Sequence, residues 1–354
     1  NIGGLSVAPD NQAHKVSLSA AYRITPTTRL NGNFSYGLML QDSSYIGYTV
    51  NPLLSVDSPT PRKDADAEVE TLHANLKFIT TPIKNVELRS SYTYDERKNN
   101  SPTDNYAVIR NDSENQITRL NSQTIRKNPT YGRKKHQFKI DTGYRFLLKN
   151  KLSIGYAYER NERDYSEVDH TDEHNAHVKL ATAPLNTLSS WVKYEYITRD
   201  SSEYKGDSLY LKTHTQEYLT TVPESVRYEN DPLIRQYNLA DRIQNKVSYS
   251  INWLPLDALS IGFNGHYSQD DYDNSELGLT FSDNFTGTLD VNYTVNSNLS
   301  LYSFYSYEYF QNEQTGYTRF SNVNLLSPRE SDKIWYVDTT DRVHTVGFGL
   351  DWAV

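Results

Sequence analysis

The sequence predicts an all-β protein: a large antiparallel up-and-down β-barrel that crosses an outer membrane. Six short turns lie between strands whose apolar residues alternate, which is the hairpin signature. Long polar connections alternate with these turns, and outer-membrane barrels have short periplasmic turns and long extracellular loops. The chain also carries 29 Tyr against 11 Phe. Tyr suits the aromatic girdle at a membrane surface because its ring is apolar and its hydroxyl is polar.

The short turns share a composition, since each contains Pro, Asn or Asp between apolar residues. The six segments are ITPTTRL (24–30), TTPIKNVEL (80–88), LLKNKLSI (147–154), TAPLNTLS (182–189), LPLDALSI (254–261) and TVNSNLSL (294–301). After each turn, every second residue is apolar or aromatic. This period indicates a strand with one face against an apolar phase and the other against a polar one.

The alternation can be followed strand by strand. Between 285 and 295, Phe285, Leu289 and Val291 alternate with Thr286 and Asp290. The same pattern predicts thirteen strands, at 14–24, 28–41, 66–80, 85–97, 133–147, 151–165, 171–182, 187–200, 241–254, 258–270, 276–295, 298–312 and 342–353. Many of these exceed the roughly 9–11 residues that cross a bilayer. We therefore expect strand ends to project from the membrane as a collar.

The predicted barrel is larger than this chain. Long polar loops are predicted at 42–65, 98–132, 201–240 and 313–341. An odd number of strands does not close a barrel that is antiparallel all round, and open sheet edges cannot face lipid. The chain opens with NIGGLSVAPDNQ, which lacks the basic and apolar segments of a signal peptide. We expect residues 1–354 to form a single region of a longer barrel.

Composition excludes several classes of protein. The mean hydropathy is −0.73, and no run approaches the roughly 18 apolar residues of a membrane-spanning helix. The absence of Cys removes disulfides, thiolate metal sites and the C-x-x-C-H attachment of a c-type haem. We therefore expect no cofactor on this chain. The net charge of −8 argues against a nucleic-acid surface.

The polar face of the strands is the candidate lumen wall. If the apolar face meets lipid, the opposite face lines the barrel interior. Its predicted partner-facing residues are Lys77, Glu87, Arg89, Lys139, Arg145, Lys179, Lys193, Glu195, Asp290 and Asp351. Their mixed charge suits either a water-filled pore or a polar protein plug, and a simple ion-selective ring less well. For each residue alone, a solvated wall is the preferred interpretation, and a partner contact is the alternative.

The densest ionisable cluster is EVDHTDEH at 167–174. On a helix, His170 and His174 would share a face and could bind a metal. In an extended connection, residues four apart are separated by about 13 Å. A solvated extracellular turn is therefore the preferred interpretation, with a metal site as the alternative.

A second candidate metal site lies in QDDYDNSE at 269–276. Asp270, Asp271 and Asp273 offer oxygen ligands suited to Ca²⁺, but the segment lacks the glycine and spacing of an EF-hand loop. We interpret it as an acidic hairpin tip, with a Ca²⁺ site as the alternative.

The sequence gives no positive sign of an enzyme. It contains no G-x-S-x-G, Walker-type or dinucleotide-binding motif. A barrel hydrolase could assemble Ser, His and Asp from separate strands, and spacing along the chain does not test that arrangement.

Several segments resemble a known family. They are EVDHTDEH (167–174), HVKLATAPLNTLSSWVKYEY (177–196), PLIRQYNLADR (232–242), DDYDNSELGLTFSDNFTGTLDVNYTVNSNLSLYSFYSYEYF (270–310) and DRVHTVGFGLDW (341–352). They are similar to the decahaem-associated outer-membrane barrels of the MtrB/PioB type. The resemblance covers most of the chain, which corresponds to roughly the C-terminal half of a family member. The resemblance implies a wide barrel that sheaths a periplasmic multihaem c-type cytochrome and docks an extracellular one. The haems would then belong to the partner cytochromes.

The function expected from this resemblance is a non-catalytic scaffold for a transmembrane electron conduit in the bacterial outer membrane. The expected partners are the two multihaem cytochromes and outer-membrane lipid, and no nucleic acid. The alternative is an outer-membrane porin or gated substrate channel, and a structural or adhesive surface barrel is a third possibility. Co-purifying haem protein favours the conduit, whereas a large passive conductance favours the channel.

Overall fold

The fold is one large, curved antiparallel sheet. The computed structural model describes residues 8–48, 60–108, 125–147, 149–318, 325–326 and 329–353. Thirteen long strands lie side by side in chain order, from β1 (Gln12–Thr25) at one edge through β14 (Leu277–Asn296) to β16 (Ile334–Trp352) at the other. A fourteenth strand, the two-residue β11 (Ile234–Arg235), adds to β14 in parallel. Within the described residues, β1 and β16 each have one neighbour, so the sheet is open.

The long strands are 13 to 20 residues in length. They are β1 (Gln12–Thr25), β2 (Thr28–Gln41), β3 (Ala67–Ile83), β4 (Val86–Asn99), β7 (Arg133–Phe146), β8 (Asn150–Arg163), β9 (His170–Leu185), β10 (Leu188–Ser201), β12 (Arg242–Leu256), β13 (Leu259–Asp271), β14 (Leu277–Asn296), β15 (Leu299–Tyr317) and β16 (Ile334–Trp352). The short strands are β5 (Asn105–Ala107), β6 (Ile125–Lys127) and β11 (Ile234–Arg235).

One end of the sheet, the turn end, carries the six predicted short turns. Five of them leave only two residues between strands, such as Lys84-Asn85 between β3 and β4. Asn85 has a φ of 70°, a left-handed conformation that Asn tolerates better than most residues. These tight turns fix the register of each hairpin.

The opposite end, the loop end, carries the long connections. Segment 202–241 contains two short helices, Ser208–Thr213 and Gln216–Thr221, and a 3₁₀ turn, Glu224–Val226. A second 3₁₀ turn, Ser331–Lys333, precedes β16. Among the described residues, no helix has the length and apolar character needed to cross a membrane.

All thirteen predicted strands are confirmed, but the predicted loop 313–341 is wrong in extent. β15 continues to Tyr317 and β16 begins at Ile334, so the connection is 318–333. These extensions carry polar residues such as Glu313, Thr315 and Asp338 on the otherwise apolar face. They therefore lack the apolar alternation that marks a strand in sequence.

The two faces of the sheet differ in exposure. Apolar side chains of the long strands stand exposed. Val16 on β1 is 71% exposed, for example, and Phe348 on β16 is 81% exposed. The buried apolar side chains instead gather at the loop end, where Val168, Leu239 and Leu277 are nearly inaccessible. The strands therefore have no conventional core, because their apolar face is directed away from the protein.

Candidate functional site: the polar face of the sheet

The register of the strands places polar side chains on one common face. Residues directly opposite each other in antiparallel strands point to the same side. One such row runs from Arg89 through Asp141, Gly155 and His177 to Glu195. It continues through Lys246, Ser268 and Asn284 on β12 to β14. We call this side the polar face and the opposite side the apolar face.

The ten residues selected from the sequence all lie on the polar face. Lys77 is on β3, Glu87 and Arg89 on β4, Lys139 and Arg145 on β7, Lys179 on β9, Lys193 and Glu195 on β10, Asp290 on β14 and Asp351 on β16. The structure brings Glu87 together with Arg89, and Lys193 together with Glu195. It leaves Asp290 and Asp351 on strands remote from the basic residues.

The turn half of the polar face is charged asymmetrically. On β1 to β10 it carries many cations, namely Arg23, Arg29, Lys77, Arg89, Lys139, Arg145, Lys151, Lys179 and Lys193. Its carboxylates there are Glu87, Asp141 and Glu195, and β12 to β16 add Asp290 and Asp351. The strands β1 to β10 therefore form a basic wall and β12 to β16 a weakly acidic one.

Three carboxylates pair within the basic wall. Glu87 Oε1 accepts from Arg89 Nε at 2.8 Å and from Lys151 Nζ at 3.1 Å. Glu195 Oε1 lies 2.7 Å from Lys193 Nζ, and Asp141 Oδ1 lies 3.0 Å from His177 Nε2. No described carboxylate lies within 4.0 Å of the Arg23, Arg29, Lys77, Lys139, Arg145 or Lys179 cations. The wall thus keeps a surplus of positive charge.

Aromatic side chains also lie on the polar face, and sequence reasoning missed them. Lys179 Nζ stands 3.9 Å from the ring centroid of Trp191, a cation–π geometry. Tyr302 and Phe304 cover Gly349 and Gly347 of β16, their register partners. The sequence does indicate the position of Trp191, because it alternates along β10 with the same spacing as Ser189, Lys193 and Glu195 and so falls on the same face.

At the loop end the polar face narrows into a cavity of about 690 Å³ with three arginines in its wall, Arg199, Arg235 and Arg242. Arg242 pairs with Glu173 at 3.1 Å and with Asp270 at 3.3 Å. Arg199 Nε donates to the carbonyl of Ala240 at 2.8 Å. The guanidinium of Arg242 therefore links β12 to β9 and β13 at the loop end of the sheet.

The interpretation of segment 167–174 as a solvated turn is wrong, because Glu167 and Val168 are buried and the residues from His170 onward belong to β9. Val168 is fully inaccessible, and Glu167 is 6% exposed. Gln236 Nε2 donates to Glu167 Oε1 at 2.6 Å. Segment 202–241 folds over this connection and covers it, a tertiary contact with no signature in the local sequence.

His214 anchors the same loop region. It is 6% exposed and stacks on Tyr210 with a centroid distance of 3.7 Å and on Tyr218 at 5.1 Å. Burial lowers the pKa of His214 below its ordinary value. A backbone bridge between Arg126 and His214 joins segment 125–132 to segment 202–241. Beside them lies a cavity of about 740 Å³.

The candidate metal ligands do not converge. Asp270 is on the polar face and receives a hydrogen bond from Gln244 Nε2 at 2.7 Å, whereas Asp271 points to the apolar side and Asp273 follows the strand. His174 Nδ1 is 2.5 Å from the Tyr156 hydroxyl, and His170 Nε2 is 3.6 Å from Asp172. Across the described residues, no group of three or more His, Asp or Glu is placed to hold a metal ion.

Comparison with known proteins gives a consistent assignment. A family model described as outer membrane beta-barrel porin, MtrB/PioB, matches residues 3–354. The outer membrane protein MtrB of Shewanella baltica is 28% identical over 354 residues, which cover 99% of this chain and 45% of that protein. The chain thus spans less than half the length of this curated relative.

Solved structures of similar shape are outer-membrane barrels. The siderophore receptor PirA from Acinetobacter baumannii superposes with a TM-score of 0.52 at 8% identity, covering 97% of this chain and 57% of the receptor. The ferric enterobactin receptor PfeA from Pseudomonas aeruginosa gives 0.50 at 8% identity, covering 94% and 57%. At such identities the likeness shows the fold alone.

Proposed function

The chain belongs to the MtrB/PioB family of outer-membrane β-barrel porins, and from that premise we propose that it forms part of a barrel wall around a periplasmic multihaem c-type cytochrome. In this proposal residues 1–354 are one barrel region, and the loops dock an extracellular multihaem cytochrome. The barrel is the scaffold of a transmembrane electron conduit. It catalyses no reaction, and its partners carry the haem c.

The observation that carries the proposal is the contrast between the two faces. The apolar face exposes Leu, Val, Phe and Tyr side chains, as a lipid-facing surface requires. The opposite face holds cations that pair with no carboxylate among the described residues, including Lys139, Arg145 and Lys179. A polar protein with acidic groups on its surface would supply the missing counter-charges. The wall would thereby keep lipid away from the haem chain.

The loop end supports the second docking interaction. Segment 202–241 is folded, covers Val168 and is bridged to segment 125–132 through His214. An ordered loop region offers a partner a preformed surface, which reduces the entropic cost of association. We therefore propose this loop region as the contact for the extracellular cytochrome.

The decisive experiment is extraction of the full-length protein from outer membranes in mild detergent through an affinity tag. A Soret band that comigrates with the barrel is the expected result. A colourless, stable barrel with high conductance in a planar bilayer would overturn the proposal and make the protein a porin or gated channel.

Charge reversal tests the basic wall directly. Lys139→Glu, Arg145→Glu and Lys179→Glu together should lower the ratio of haem to barrel by about threefold at moderate salt, because attraction becomes repulsion. The matched control is Lys84→Glu, in the exposed turn between β3 and β4. Equal haem retention in the triple variant and the control would contradict an acidic partner at this wall.

A further inference from the structure

A repeated side-chain arrangement lies on the apolar face near the loop end. In four strand pairs joined by loops, the first strand carries Tyr-x-Tyr on this face, and the second strand carries His or Asn opposite the second Tyr. The register pairs are Tyr94 with His136, Tyr158 with His174, Tyr307 with His344, and Tyr196 with Asn245. We call each set a clasp.

The geometry of the four clasps is nearly constant. The hydroxyl of the first Tyr bonds to the side chain on the next strand, with distances of 2.8 Å for Tyr92–His136, 2.5 Å for Tyr156–His174, 2.7 Å for Tyr305–His344 and 2.6 Å for Tyr194–Asn245. In the three His clasps, the second Tyr ring lies 4.9, 5.1 and 5.0 Å from the imidazole. The first Tyr is 37–44% exposed in all four.

Each clasp presents a free N–H donor. Tyr194 donates to Asn245 Oδ1, which leaves the Asn245 amide N–H groups free. We infer that the Tyr hydroxyls of the three His clasps donate to His Nδ1 in the same direction, which would place the ring proton on Nε2. Among the described residues, these amide and Nε2 groups have no hydrogen-bond partner. His and Asn are therefore equivalent here, since each accepts from Tyr and still offers a donor.

The clasps mark one edge of an apolar band. Tyr144, Trp253 and Trp352 lie eight residues after His136, Asn245 and His344, respectively. Eight residues at roughly 3.3 Å each, tilted by roughly 40°, rise about 20 Å, near the height of the apolar band of outer-membrane barrels. Apart from Thr142, the residues between them on this face are apolar or aromatic, for example Phe138, Ile140, Val247, Ile251, Val346 and Phe348.

Charged residues begin directly beyond the three His clasps. Lys134 precedes His136 by two residues and lies 3.7 Å from Glu96. Asp172 precedes His174 and pairs with Arg160 at 3.5 Å, and Arg342 precedes His344. The clasps therefore sit at the boundary where hydrocarbon gives way to lipid headgroups.

We propose that the clasps bind lipid headgroups of the leaflet on the loop side, with each free N–H donating to a phosphate or ester carbonyl oxygen. Those oxygens accept hydrogen bonds and cannot donate them, so a protein ring of donors at this level complements them. The four clasps would then fix the depth and tilt of the barrel in the membrane. This proposal rests on the outer-membrane location and does not depend on a cytochrome partner.

The test is a titration of the full-length protein in maltoside micelles with dioleoylphosphatidylglycerol, followed by native mass spectrometry. The clasp-breaking variant is His136→Leu, His174→Leu and His344→Leu together. We expect its phospholipid dissociation constants to rise about fivefold per clasp, which corresponds to ~1 kcal/mol for one hydrogen bond. Inorganic phosphate at the same concentration should not compete, since it cannot anchor in the apolar band.

Two matched variants complete the test. The triple His→Asn variant at the same positions keeps an acceptor and a donor, as Asn245 does, and should bind phospholipid like the unaltered protein. The triple variant His73→Leu, His177→Leu and His266→Leu alters the same residue type on the polar face and should also bind normally. Unchanged binding by the clasp-breaking variant, or losses of equal size in either matched variant, would overturn the proposal.

Discussion

Lys151 reaches across a neighbouring strand to pair with Glu87. Its Nζ lies 3.1 Å from Glu87 Oε1, although β7 separates β4 from β8. Gly143 of β7 lies opposite Glu87, and a Cβ at that position would come within 2.4 Å of Lys151 Cε. The absent side chain of Gly143 opens the path for this ion pair. Glycine on the polar face therefore allows contacts between residues two strands apart.

Gly143→Thr should uncouple Glu87 from Lys151 without unfolding the sheet, because the flexible end of the lysine can move aside. The pair is worth about 0.2–1 kcal/mol by analogy with other partly exposed ion pairs. A double-mutant cycle of Glu87→Gln and Lys151→Met, measured by urea unfolding in lipid vesicles, gives the coupling energy. We expect it to fall to zero in the Gly143→Thr background.

The matched control for this prediction is Gly32→Thr. Gly32 lies on the apolar face of β2, and a Cβ there would meet only Leu76 Cδ1, at 3.9 Å. The coupling between Glu87 and Lys151 should survive this change. Loss of coupling in both glycine variants would mean that it depends on general sheet stability and not on the open path.

Val291 and Asn292 test the assignment of the two faces. Val291 lies on the apolar face, opposite Ser303 and Ile261. Ser303 pairs with Phe348, midway between His344 and Trp352, so Val291 should lie near the bilayer midplane. Val291→Arg should cost about 2–4 kcal/mol of folding free energy in vesicles. Asn292→Arg should cost little, since that side chain faces a polar lumen, and equal costs would invalidate the face assignment.

The positions of all thirteen long strands could be predicted from sequence, because lipid on one side imposes a period of two over many residues. The alternation did not predict the elements that lie outside the lipid-facing part of the strands. The extension of β16 back to Ile334 carries Asp338 and Asp341, and the helices Ser208–Thr213 and Gln216–Thr221 are six residues each. Helices that short have too few turns for a recognisable amphipathic period.

Membership of the polar face could also be predicted, whereas its contacts could not. Alternation places Glu87 and Lys151 on the same face, but their contact joins residues 64 positions apart and depends on the register of three strands. The same limit applies to the clasps, since nothing near Tyr92 in the chain indicates His136. Cross-strand register is set by tertiary structure, and single-strand periodicity carries no record of it.

Asp270 should contribute strongly to stability at the loop end. It is 5% exposed and lies 3.3 Å from Arg242. Removal of one partner from a buried ion pair costs about 3–5 kcal/mol of folding free energy. Because Arg242 keeps its contact with Glu173, we expect a cost at the lower end of this range, about 3 kcal/mol. Asp270→Asn should therefore lower the free energy of unfolding by about that amount, measured by urea titration in vesicles.

Asp271→Asn is the matched control, since the residue is adjacent but points to the opposite face. Asp271 is repelled by Asp270 and Asp273, so loss of its charge should leave stability unchanged or raise it. A loss comparable to that of Asp270→Asn would contradict the described orientation of the two carboxylates. Addition of Ca²⁺ should leave the stability of the unaltered protein unchanged, and a stabilisation by Ca²⁺ that both variants lose would support the alternative of a Ca²⁺ site.

Local opening of segment 202–241 should depend on pH through His214. Burial lowers the pKa of His214 from its ordinary value of 6.5, so the folded loop binds fewer protons than the opened one. The stabilisation that the neutral His214 ring gives to the folded loop is complete above pH 6.5. It is lost as pH falls below that value towards the pKa of His214 in the folded loop. We expect amide hydrogen exchange in this segment, corrected for the intrinsic rate, to show more opening at about pH 5 than at about pH 7.

His214→Phe should flatten this pH dependence and retain the ring stack between Tyr210 and Tyr218. The variant loses the hydrogen bond from His214 to the carbonyl of Tyr210, at 2.8 Å, so some opening should be added equally at every pH. Arg126 and Glu229 also act on His214, and Asp104, Lys127, Asp164 and Lys212 line the adjacent cavity. A pH dependence that persisted unchanged in His214→Phe would assign it to those groups instead. His170→Phe, at the start of β9, should leave the dependence intact.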